Sequence, residues 1–284
     1  MNPPFKVHIL GCGSALPSKS HNPSSQIVEI RGKYFMIDCG EGTQVQVRRS
    51  HVSFSKLYAI FISHTHGDHV FGLMGMLSTF GLQGRTAPLH IYAPAHYEEL
   101  FMMEKKMFLS TMDYDIIFHS LDTTLSQVIY EDRSLTVETI PLQHRVPCCG
   151  FFFKEKPTRE HFIRDTSLPR PLIPAPPTPV RAYAYCSDTR YIPTLGETLR
   201  NMSPGPLTIY HEATYADDKK DNARKYMHST AREAAMVAKS AGAQQLLIGH
   251  YSHRYEDETI LLKEAQEVFL PTLLSQEGEV YTIV

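Results

Sequence analysis

The sequence contains the stretch Phe61-Ile62-Ser63-His64-Thr65-His66-Gly67-Asp68-His69, whose first two residues end the apolar run 57–62. An apolar run of this length is typical of a buried strand, and the apolar residues 70–77 favour a helix packed on a sheet. The polar cluster therefore falls in a strand-to-helix turn, where open α/β sheets place their sites. Imidazole and carboxylate groups suit zinc and similar divalent ions. The stretch predicts a metal centre; the alternative is a solvated loop that happens to be rich in histidine.

The spacing of these ligand-type side chains fits two ions better than one. His64 and His66 are two positions apart, so that both can face the same ion from an extended turn. Asp68 and His69 follow Gly67, where the backbone can bend and present this second pair to another ion. The pattern therefore predicts a binuclear centre.

Length and composition are those of an ordinary globular domain. The chain has 284 residues, of which 42% are hydrophobic and 20% charged, and this length allows one sizeable core. No apolar run approaches the roughly 20 residues that a membrane helix needs, and the first residues lack the features of a signal peptide. The five cysteines are scattered, so a disulfide framework is not expected. We expect a single cytoplasmic domain over residues 1–284 with no membrane partner.

The charge balance gives no direct sign of a nucleic-acid partner. The net charge is −2, so there is no overall basic field. A polyanionic substrate would have to be met by a local patch and by the metal ions. This weakens a nucleic-acid function without excluding it.

A histidine or an aspartate follows each of five apolar strands. These residues are His64, His144, Asp188, His211 and His250. Strand ends more often carry Gly, Asn or Pro, so the recurrence predicts a site assembled along one edge of a β-sandwich. Residues 62–64 and 248–250 also resemble each other, as Ile-Ser-His and Ile-Gly-His. We therefore predict an α/β fold of two similar halves face to face, a four-layer αβ/βα sandwich.

Two helices are clearly marked by the sequence. Thr230 and Glu233 form a capping box, and the alanines that follow at helical spacing allow close packing on a sheet. Residues 97–109 predict a second helix, whose apolar residues, methionines included, we expect to fill the core.

Seven side chains form a complete ligand set for two ions. His64, His66 and His144 are assigned to one ion, and Asp68, His69 and His250 to the other. Asp188 is expected to bridge them, because a carboxylate can offer one oxygen to each ion. Two ions about 3.5–4 Å apart activate a water molecule and neutralise charge on a phosphoryl group. The adjacent Cys148 and Cys149 are an alternative zinc-ligand pair, but since the set is already complete we interpret them as small reduced core residues.

Several motifs in this order resemble a known family. The spacing His64-x-His66-x-Asp68-His69 resembles the signature of the metallo-β-lactamase superfamily, which implies a binuclear metal hydrolase. The narrower motifs are Asp-Cys-Gly-Glu-Gly-Thr at 38–43, His-Glu-Ala-Thr at 211–214, His-Ser-Thr at 228–230 and Gly-His-Tyr-Ser-His-Arg-Tyr at 249–255. Together they are similar to the short form of the ribonuclease Z family, the endonucleases that process the 3′ ends of tRNA. The resemblance implies a metallo-β-lactamase sandwich.

The resemblance implies catalytic and binding roles for further residues. Asp68, besides binding metal, would orient or deprotonate the attacking water. His228, steadied by Glu212, would protonate the leaving 3′ oxygen, which suits a histidine that titrates near neutral pH. Without the resemblance, His228 is also explained as a residue beside a helix cap. Ser252 and Arg254 would hold a substrate phosphate, since arginine donates two hydrogen bonds in fixed geometry.

The loop 17–22 resembles the family loop PxKxRN, which contacts the 3′ region of tRNA. Lys19, His21 and Asn22 are therefore candidate tRNA contacts. His21 stands where arginine is usual in the family. This departure bears on the affinity of the loop for phosphate and on discrimination against mature CCA ends.

The function implied by the resemblance is zinc-dependent cleavage of tRNA precursors after the discriminator nucleotide. Two Zn²⁺ ions, a pre-tRNA substrate and a homodimer are implied with it. The products would be a tRNA with a 3′-hydroxyl and a trailer with a 5′-phosphate. One alternative is a binuclear-metal hydrolase of small phosphodiesters or sulfate esters. Another, from a different class, is a non-catalytic RNA-binding or scaffold protein that has kept the fold.

The segment 157–179 departs from the family pattern. In the family, an arm that grips tRNA emerges between the strands that precede His144 and Asp188. Here the segment contains seven prolines and no helical or hairpin pattern, so we predict an extended, stiff chain. Either the arm is absent, or the sequence joins residues that are not neighbours in the protein. The retained motifs favour the second explanation, with the join between Ile163 and Pro171.

Overall fold

The computed structural model of the chain describes residues 4–50, 52–157, 162–164, 172–174 and 179–284. Two seven-stranded sheets lie face to face, with helices on their outer sides. The strands are β1 (Phe5–Gly11), β2 (Ser25–Ile30), β3 (Lys33–Ile37), β4 (Leu57–Phe61), β5 (Leu89–Pro94), β6 (Ile116–Leu121), β7 (Val128–Glu131), β8 (Leu135–Pro141), β9 (Cys149–Glu155), β10 (Phe162–Arg164), β11 (Leu172–Pro174), β12 (Ala182–Cys186), β13 (Leu207–Glu212), β14 (Gln245–Gly249), β15 (Thr272–Leu274) and β16 (Val280–Thr282). The predicted four-layer sandwich is confirmed.

The first sheet has the order β16-β1-β2-β3-β4-β5-β6. Strands β3 to β6 are parallel, whereas β2 and β3 form the predicted antiparallel hairpin. The second sheet has the order β15-β14-β13-β12-β9-β8-β7, in which β12 to β15 are parallel. The carboxyl ends of β4, β12, β13 and β14 meet at one edge of the sandwich, and the site lies there.

Strand β4 shows why the sandwich needs apolar residues on both faces of a sheet. Successive side chains of a strand point to opposite faces. Phe61 points into the space between the sheets, where its ring centre lies 5.4 Å from that of Phe151 and 5.6 Å from that of Phe153. Ile60 and Ile62 point outward into the cluster under the helices.

Eight α-helices cover the sheets in the described residues. They are α1 (Thr43–Arg49), α2 (Gly67–Val70), α3 (Leu73–Leu82), α4 (Glu98–Phe108), α5 (Leu195–Met202), α6 (Lys220–Tyr226), α7 (Ala231–Ala241) and α8 (Thr259–Gln266). Helix α7 begins with the predicted capping box of Thr230 and Glu233. Its alanines are buried against β13 and β14. None of the helices in this part of the chain is both long and apolar enough to span a membrane.

The expectation that the apolar residues of α4 fill the core is wrong. Phe101 is completely buried, but Leu100, Met103, Met107 and Phe108 are at least half exposed. Helix α4 contacts the edge strand β6 through Phe101, whose ring centre lies 4.9 Å from that of Phe118, and Phe101 is the one residue of this helix that is buried. The exposed residues form an apolar strip on the surface of the first half.

The proline-rich segment differs from its prediction where the structure describes it. Strands β10 and β11 pair in antiparallel fashion, with Ile163 opposite Ile173, so the expectation of no hairpin is wrong. The only proline in these strands stands at the end of β11, where a missing N–H interrupts pairing least. The proposed join between Ile163 and Pro171 falls on residues 165–171, which lie outside the described residues.

Candidate metal centre and active site

Four segments of the fold bring the seven predicted ligands together. His64 and His66 lie in the turn after β4, and Asp68 and His69 lie in the short helix α2. The other three follow β8, β12 and β14 in the second sheet, and they are His144, Asp188 and His250. Their ligand-type atoms form two clusters, each compact enough to surround one metal ion.

The first cluster contains His64, His66, His144 and Asp188. Nδ1 of His66 lies 3.1 Å from Nε2 of His64 and 3.1 Å from Nε2 of His144. Oδ2 of Asp188 lies 3.6 Å from Nε2 of His64 and 3.7 Å from Nε2 of His144. A tetrahedral zinc ion with bonds of about 2.0–2.1 Å holds its ligands about 3.3–3.4 Å apart. The cluster therefore fits an ion of this size.

The second cluster contains Asp68, His69 and His250, and it shares Asp188 with the first. Nε2 of His250 lies 3.4 Å from Oδ2 of Asp68 and 3.2 Å from Oδ1 of Asp188. Nε2 of His69 lies 3.7 Å from Oδ2 of Asp68 and 3.5 Å from Oδ1 of Asp188. Asp188 thus turns Oδ2 to one cluster and Oδ1 to the other, the geometry of a bridging carboxylate.

Hydrogen bonds to Nδ1 orient the first-cluster histidines His64 and His144. Nδ1 of His144 donates to the carbonyl oxygen of Met227 at 2.8 Å. Nδ1 of His64 lies 3.0 Å from Oγ of Ser63. Because Ser63 Oγ donates its own proton to Asp38 at 2.9 Å, it can only accept from His64. Both histidines therefore carry their proton on Nδ1 and present a bare Nε2 to the cluster.

The second-cluster histidines are oriented in the same way. Nδ1 of His69 donates to Oδ2 of Asp38 at 2.8 Å. Nδ1 of His250 lies 2.9 Å from Oγ1 of Thr214, and that hydroxyl donates to Glu212 at 2.8 Å, so it accepts from His250. Partners of this kind fix the tautomer and ring orientation of histidines that bind metal.

Unpaired atoms and charge also fit divalent cations. Nε2 of His69 and Oδ1 of Asp188 are buried without a hydrogen-bond partner, which is costly unless an ion occupies the gap. Burial lowers the pKa of His64, of His66 and of His144, which keeps these imidazoles neutral. The chain therefore holds divalent metal at this site.

Backbone strain is concentrated around the clusters. Five non-glycine residues of the described chain have a positive φ, namely Ala15, Arg31, Asp38, Met227 and His250. All except Arg31 belong to the site or bind directly to it. Left-handed backbone costs a non-glycine residue of order 1–3 kcal/mol and persists where the surrounding structure enforces it. Ala15 and Asp38 belong to the first half of the sandwich, and Met227 and His250 belong to the second.

His228 and Glu212 form a buried pair beside the shared carboxylate. Nδ1 of His228 lies 3.0 Å from Oε1 of Glu212 and 4.0 Å from Oδ2 of Asp188. Burial lowers the pKa of His228, but the carboxylates of Glu212, Asp188 and Asp68, with Glu212 the largest contributor, together outweigh burial and raise this pKa to about 9. Burial raises the pKa of Glu212, but the charge of His228 outweighs it, and the net pKa of Glu212 is about 2. The pair is therefore an imidazolium held by a carboxylate at neutral pH.

Above the clusters lies an open cavity of about 370 Å³. Its floor includes Asp68, Asp188, His228 and His250, and its wall includes the exposed Phe71, which lies over Gly67. Ala15 also lines it, and its backbone N–H donates to Oδ2 of Asp68 at 2.7 Å. The cavity is open enough to admit an extended substrate to the shared edge of the two clusters.

The predicted phosphate-binding and tRNA-contact residues lie around this cavity at different distances. Ser252 is buried, and Arg254 lies over the ring of Tyr215 at 5.9 Å, outside the cavity lining. Lys19 is exposed. His21 and Asn22 are half-buried and bind carboxylates: Nε2 of His21 lies 2.9 Å from Glu258, and Asn22 donates to Glu277.

The two adjacent cysteines agree with their interpretation as reduced core residues. Cys148 and Cys149 are buried and free. Sγ of Cys148 donates to the backbone carbonyl of Asp188 at 3.4 Å. In the described residues neither belongs to a cluster that could hold an ion.

Sequence reasoning missed the residues that orient the ligands. Asp38 is the first residue of the motif 38–43, but nothing local indicates that it binds a histidine of another segment. The same holds for Thr214 and for the carbonyl of Met227, which also bind histidines of other segments. Arg145, on the cavity wall, was also missed, although its position directly after His144 was a usable signal.

Comparison with known proteins assigns the chain to a family. Ribonuclease Z of Bacteroides fragilis is 49% identical over 300 residues, covering 96% of this chain and 97% of that protein. The chain belongs to the ribonuclease Z family. Ribonuclease Z of Porphyromonas gingivalis is 42% identical over 299 residues, covering 96% of this chain and 97% of that protein. A family model described as "Anti-Pycsar protein Apyc1" also matches residues 5–270, so the chain falls in that sequence family as well.

Solved structures with the same fold include another member of the ribonuclease Z family. The short form of human tRNase Z has a TM-score of 0.75 and 25% identity, with 98% of this chain and 99% of that chain covered. The metallo-β-lactamase fold protein YhfI from Bacillus subtilis has a TM-score of 0.74 and 22% identity, with the same coverage. The predicted metallo-β-lactamase fold and the resemblance to ribonuclease Z are both confirmed.

Proposed function

We propose that this chain is the endoribonuclease that processes tRNA precursors at their 3′ end, cutting after the discriminator nucleotide. The observation that carries the proposal is the His228–Glu212 pair, whose imidazole lies 4.0 Å from the carboxylate that both clusters share. A proton donor at this position suits a poor leaving group such as a ribose oxygen. Membership of the ribonuclease Z family supports the same substrate.

The proposed cofactors are two Zn²⁺ ions. His64, His66 and His144 would hold one, Asp68, His69 and His250 the other, and Asp188 both. Nitrogen and oxygen donors at tetrahedral spacing support zinc among the divalent metals. Ions at these positions would lower the pKa of water and neutralise charge on the scissile phosphate.

The side chains of the protein divide the remaining work. Asp68 would orient the attacking water and accept its proton, and the N–H of Ala15 keeps this carboxylate in place. Nδ1 of His228 is engaged by Glu212, so the proton available for transfer is the one on Nε2. Its transfer to the 3′ oxygen leaves a 3′-hydroxyl on the tRNA and a 5′-phosphate on the trailer.

Further proposed contacts lie outside the chemistry. Ser252 and Arg254 would bind a phosphate of the tRNA, and the exposed Lys19 another. His21 and Asn22, which are half-buried and pair with Glu258 and Glu277, would support the loop. We also propose a homodimer, supported by the exposed apolar strip on α4. A cytoplasmic location is supported by the five buried, free cysteines.

The decisive experiment is incubation of purified protein with a pre-tRNA labelled at its 5′ end. We expect one cut directly after the discriminator nucleotide, which is lost with a chelator and restored by Zn²⁺. The Asp188→Ala variant should lose both ions by elemental analysis, because it removes the shared ligand. An uncut pre-tRNA, or full activity with one ion or fewer, would overturn the proposal.

Hydrolysis of small phosphodiesters or sulfate esters is the second candidate function. It is favoured by the alignment with the Bacteroides fragilis protein, which runs over 300 residues although this chain has 284. The relatives therefore carry residues that have no counterpart here, as a reduced arm would require. Competition separates the candidates: micromolar pre-tRNA should inhibit hydrolysis of bis(p-nitrophenyl) phosphate by an RNA-processing enzyme and leave a small-diester hydrolase unaffected.

A further inference from the structure

The cavity wall carries one arginine or lysine in the part of the chain that the structure describes. This residue is Arg145, which directly follows the ligand-type His144. Its side chain is exposed, and no described carboxylate pairs with it. The carboxylates that line the same cavity are those of Glu41, Asp68 and Asp188, and none of them is within ion-pair distance of Arg145. An unpaired guanidinium in an active-site cavity is a candidate anion-binding group.

Arg145 and His228 belong to two segments of the cavity lining that contact each other. Its guanidinium carbon lies 5.7 Å from the ring centre of Tyr226. One residue earlier, His144 donates to the carbonyl of Met227 at 2.8 Å, so adjacent residues of the two segments contact each other in turn. The ring centres of His144 and His228 are 5.0 Å apart. These contacts connect the segment of Arg145 to that of His228, and both residues line the cavity.

The contact with Tyr226 prepares the guanidinium for a ligand. A ring face attracts the cation but uses none of its five N–H groups, which remain free for an anion. Their fork matches two oxygens of a phosphate. Stacking also limits the freedom of the side chain, so less entropy is lost when the anion binds.

We propose that Arg145 binds the phosphate on the 5′ side of the discriminator nucleotide and thereby selects an RNA chain over a small phosphodiester. The inference rests on the proposed function, in which His228 protonates the 3′ oxygen of that nucleotide. The nucleotide must then lie on the His228 side of the cavity, and its own 5′ phosphate is the next anion along the chain. A small diester has no such group, so the contact strengthens the binding of a polynucleotide only.

Arg254 does not take this position. It lies over Tyr215 at 5.9 Å, with Nη1 3.5 Å from the hydroxyl of that ring, and Tyr215 itself is 6.1 Å from His228. Two arginines thus stand on tyrosine rings near His228, but only Arg145 lines the cavity. Arg145 is therefore assigned the nearer phosphate.

The test compares Arg145→Ala with wild type on pre-tRNA and on bis(p-nitrophenyl) phosphate, with metal content measured for both. We expect kcat/KM for pre-tRNA to fall about ten- to hundred-fold, as for loss of a hydrogen-bonded charge, and to fall far more than kcat/KM for the small diester. The slope of log kcat/KM against log salt should decrease by about 0.7, the value for one single-strand phosphate. Arg224→Ala is the matched control, since this exposed arginine of α6 lies outside the cavity lining.

A second measurement identifies the phosphate. The substrate is a pre-tRNA that carries an uncharged methylphosphonate 5′ of the discriminator. On this substrate, kcat/KM of wild type should fall by the same factor that the Arg145→Ala substitution causes on normal pre-tRNA. The kcat/KM of Arg145→Ala should fall little further. Additive losses would overturn the inference, as would equal losses on both substrates, which indicate damage to His144. Wild type that fails to cut pre-tRNA would overturn the proposed function instead. Wild type that cuts, beside an equally active Arg145→Ala, would overturn the Arg145 inference alone.

Discussion

Nδ1 of His69 lies 2.8 Å from Oδ2 of Asp38, and both side chains are completely buried. The same carboxylate accepts hydrogen bonds from Ser63 and from the hydroxyl of Tyr185 at 2.7 Å. One buried group thus orients a proposed metal ligand and joins the two sheets. Every hydrogen bond that it makes requires it to be an acceptor.

Asp38→Asn should weaken metal binding by about 10- to 100-fold, as expected for loss of a group that orients a ligand. The amide would point its N–H₂ at one of the donors, so we also expect a lower melting temperature. Competition with a fluorescent chelator measures the affinity. Glu29→Gln is the control, because Glu29 also binds a histidine, His8 at 2.9 Å, but on a strand remote from the clusters. Equal affinities in the two variants would contradict the role of Asp38.

His228→Ala should retain both ions and cut pre-tRNA about 10²–10⁴-fold more slowly, the usual effect of losing a general acid. A nitrophenyl diester has a good leaving group that needs no proton on departure, so it should be much less affected. Single-turnover rates on both substrates, with metal analysis, test this. Equal losses would show that His228 does something other than protonate the leaving oxygen.

Glu212→Gln should shift the pH dependence of pre-tRNA cleavage. Burial lowers the pKa of His228, but Glu212, with further contributions from Asp188 and Asp68, raises it to about 9. A general acid must carry its proton, so the rate falls as the pH rises through this pKa. Removing the negative charge lowers the pKa of His228, and the falling limb of the kcat profile should move to lower pH. An unmoved limb would mean that another group controls it.

His21 should make stability depend on pH. Its hydrogen bond to Glu277 and its contact with Glu258 raise the pKa of His21 above 6.5, although burial opposes this. A raised pKa in the folded state means that the stabilisation is complete below pH 6.5 and is lost as the pH rises through the folded pKa. The melting temperature of wild type should therefore be higher than that of His21→Gln at pH 6. This difference in melting temperature, the gap, should become smaller at alkaline pH. A gap that stays constant from pH 6 to pH 10 would refute this.

The ligands were predictable because strand ends of one direction meet at one edge of a sheet. Asp188 after β12 and His250 after β14 therefore lie at one edge of the second sheet. His64 follows β4 of the first sheet, and it joins them because the two sheets pack face to face with these strand ends at the same edge. The partners of those ligands were not predictable in the same way. Asp38 is 31 residues from His69, and Thr214 is 36 residues from His250. Nothing local in either segment indicates which distant imidazole it will meet.

Two errors had a common origin in reading composition as structure. The methionines of α4 were assigned to the core because they are apolar, yet an edge helix exposes most of its surface. The prolines of 157–179 predict an extended chain without pairing, yet a strand of three residues needs only a short stretch without an internal proline. In both cases the position in the fold decided the outcome.

Each cluster takes side chains from both halves of the sandwich. In the first cluster, His64 and His66 lie before the point where the chain passes from the first sheet to the second, between β6 and β7, whereas His144 and Asp188 lie after it. A cation in either cluster would therefore act as a cross-link between two parts of the chain that fold far apart in sequence. Its binding free energy adds to the free energy of unfolding, in proportion to the logarithm of free metal concentration. A cell short of metal would hold less of this protein as well as less active protein, because the unlinked halves open more often to proteases.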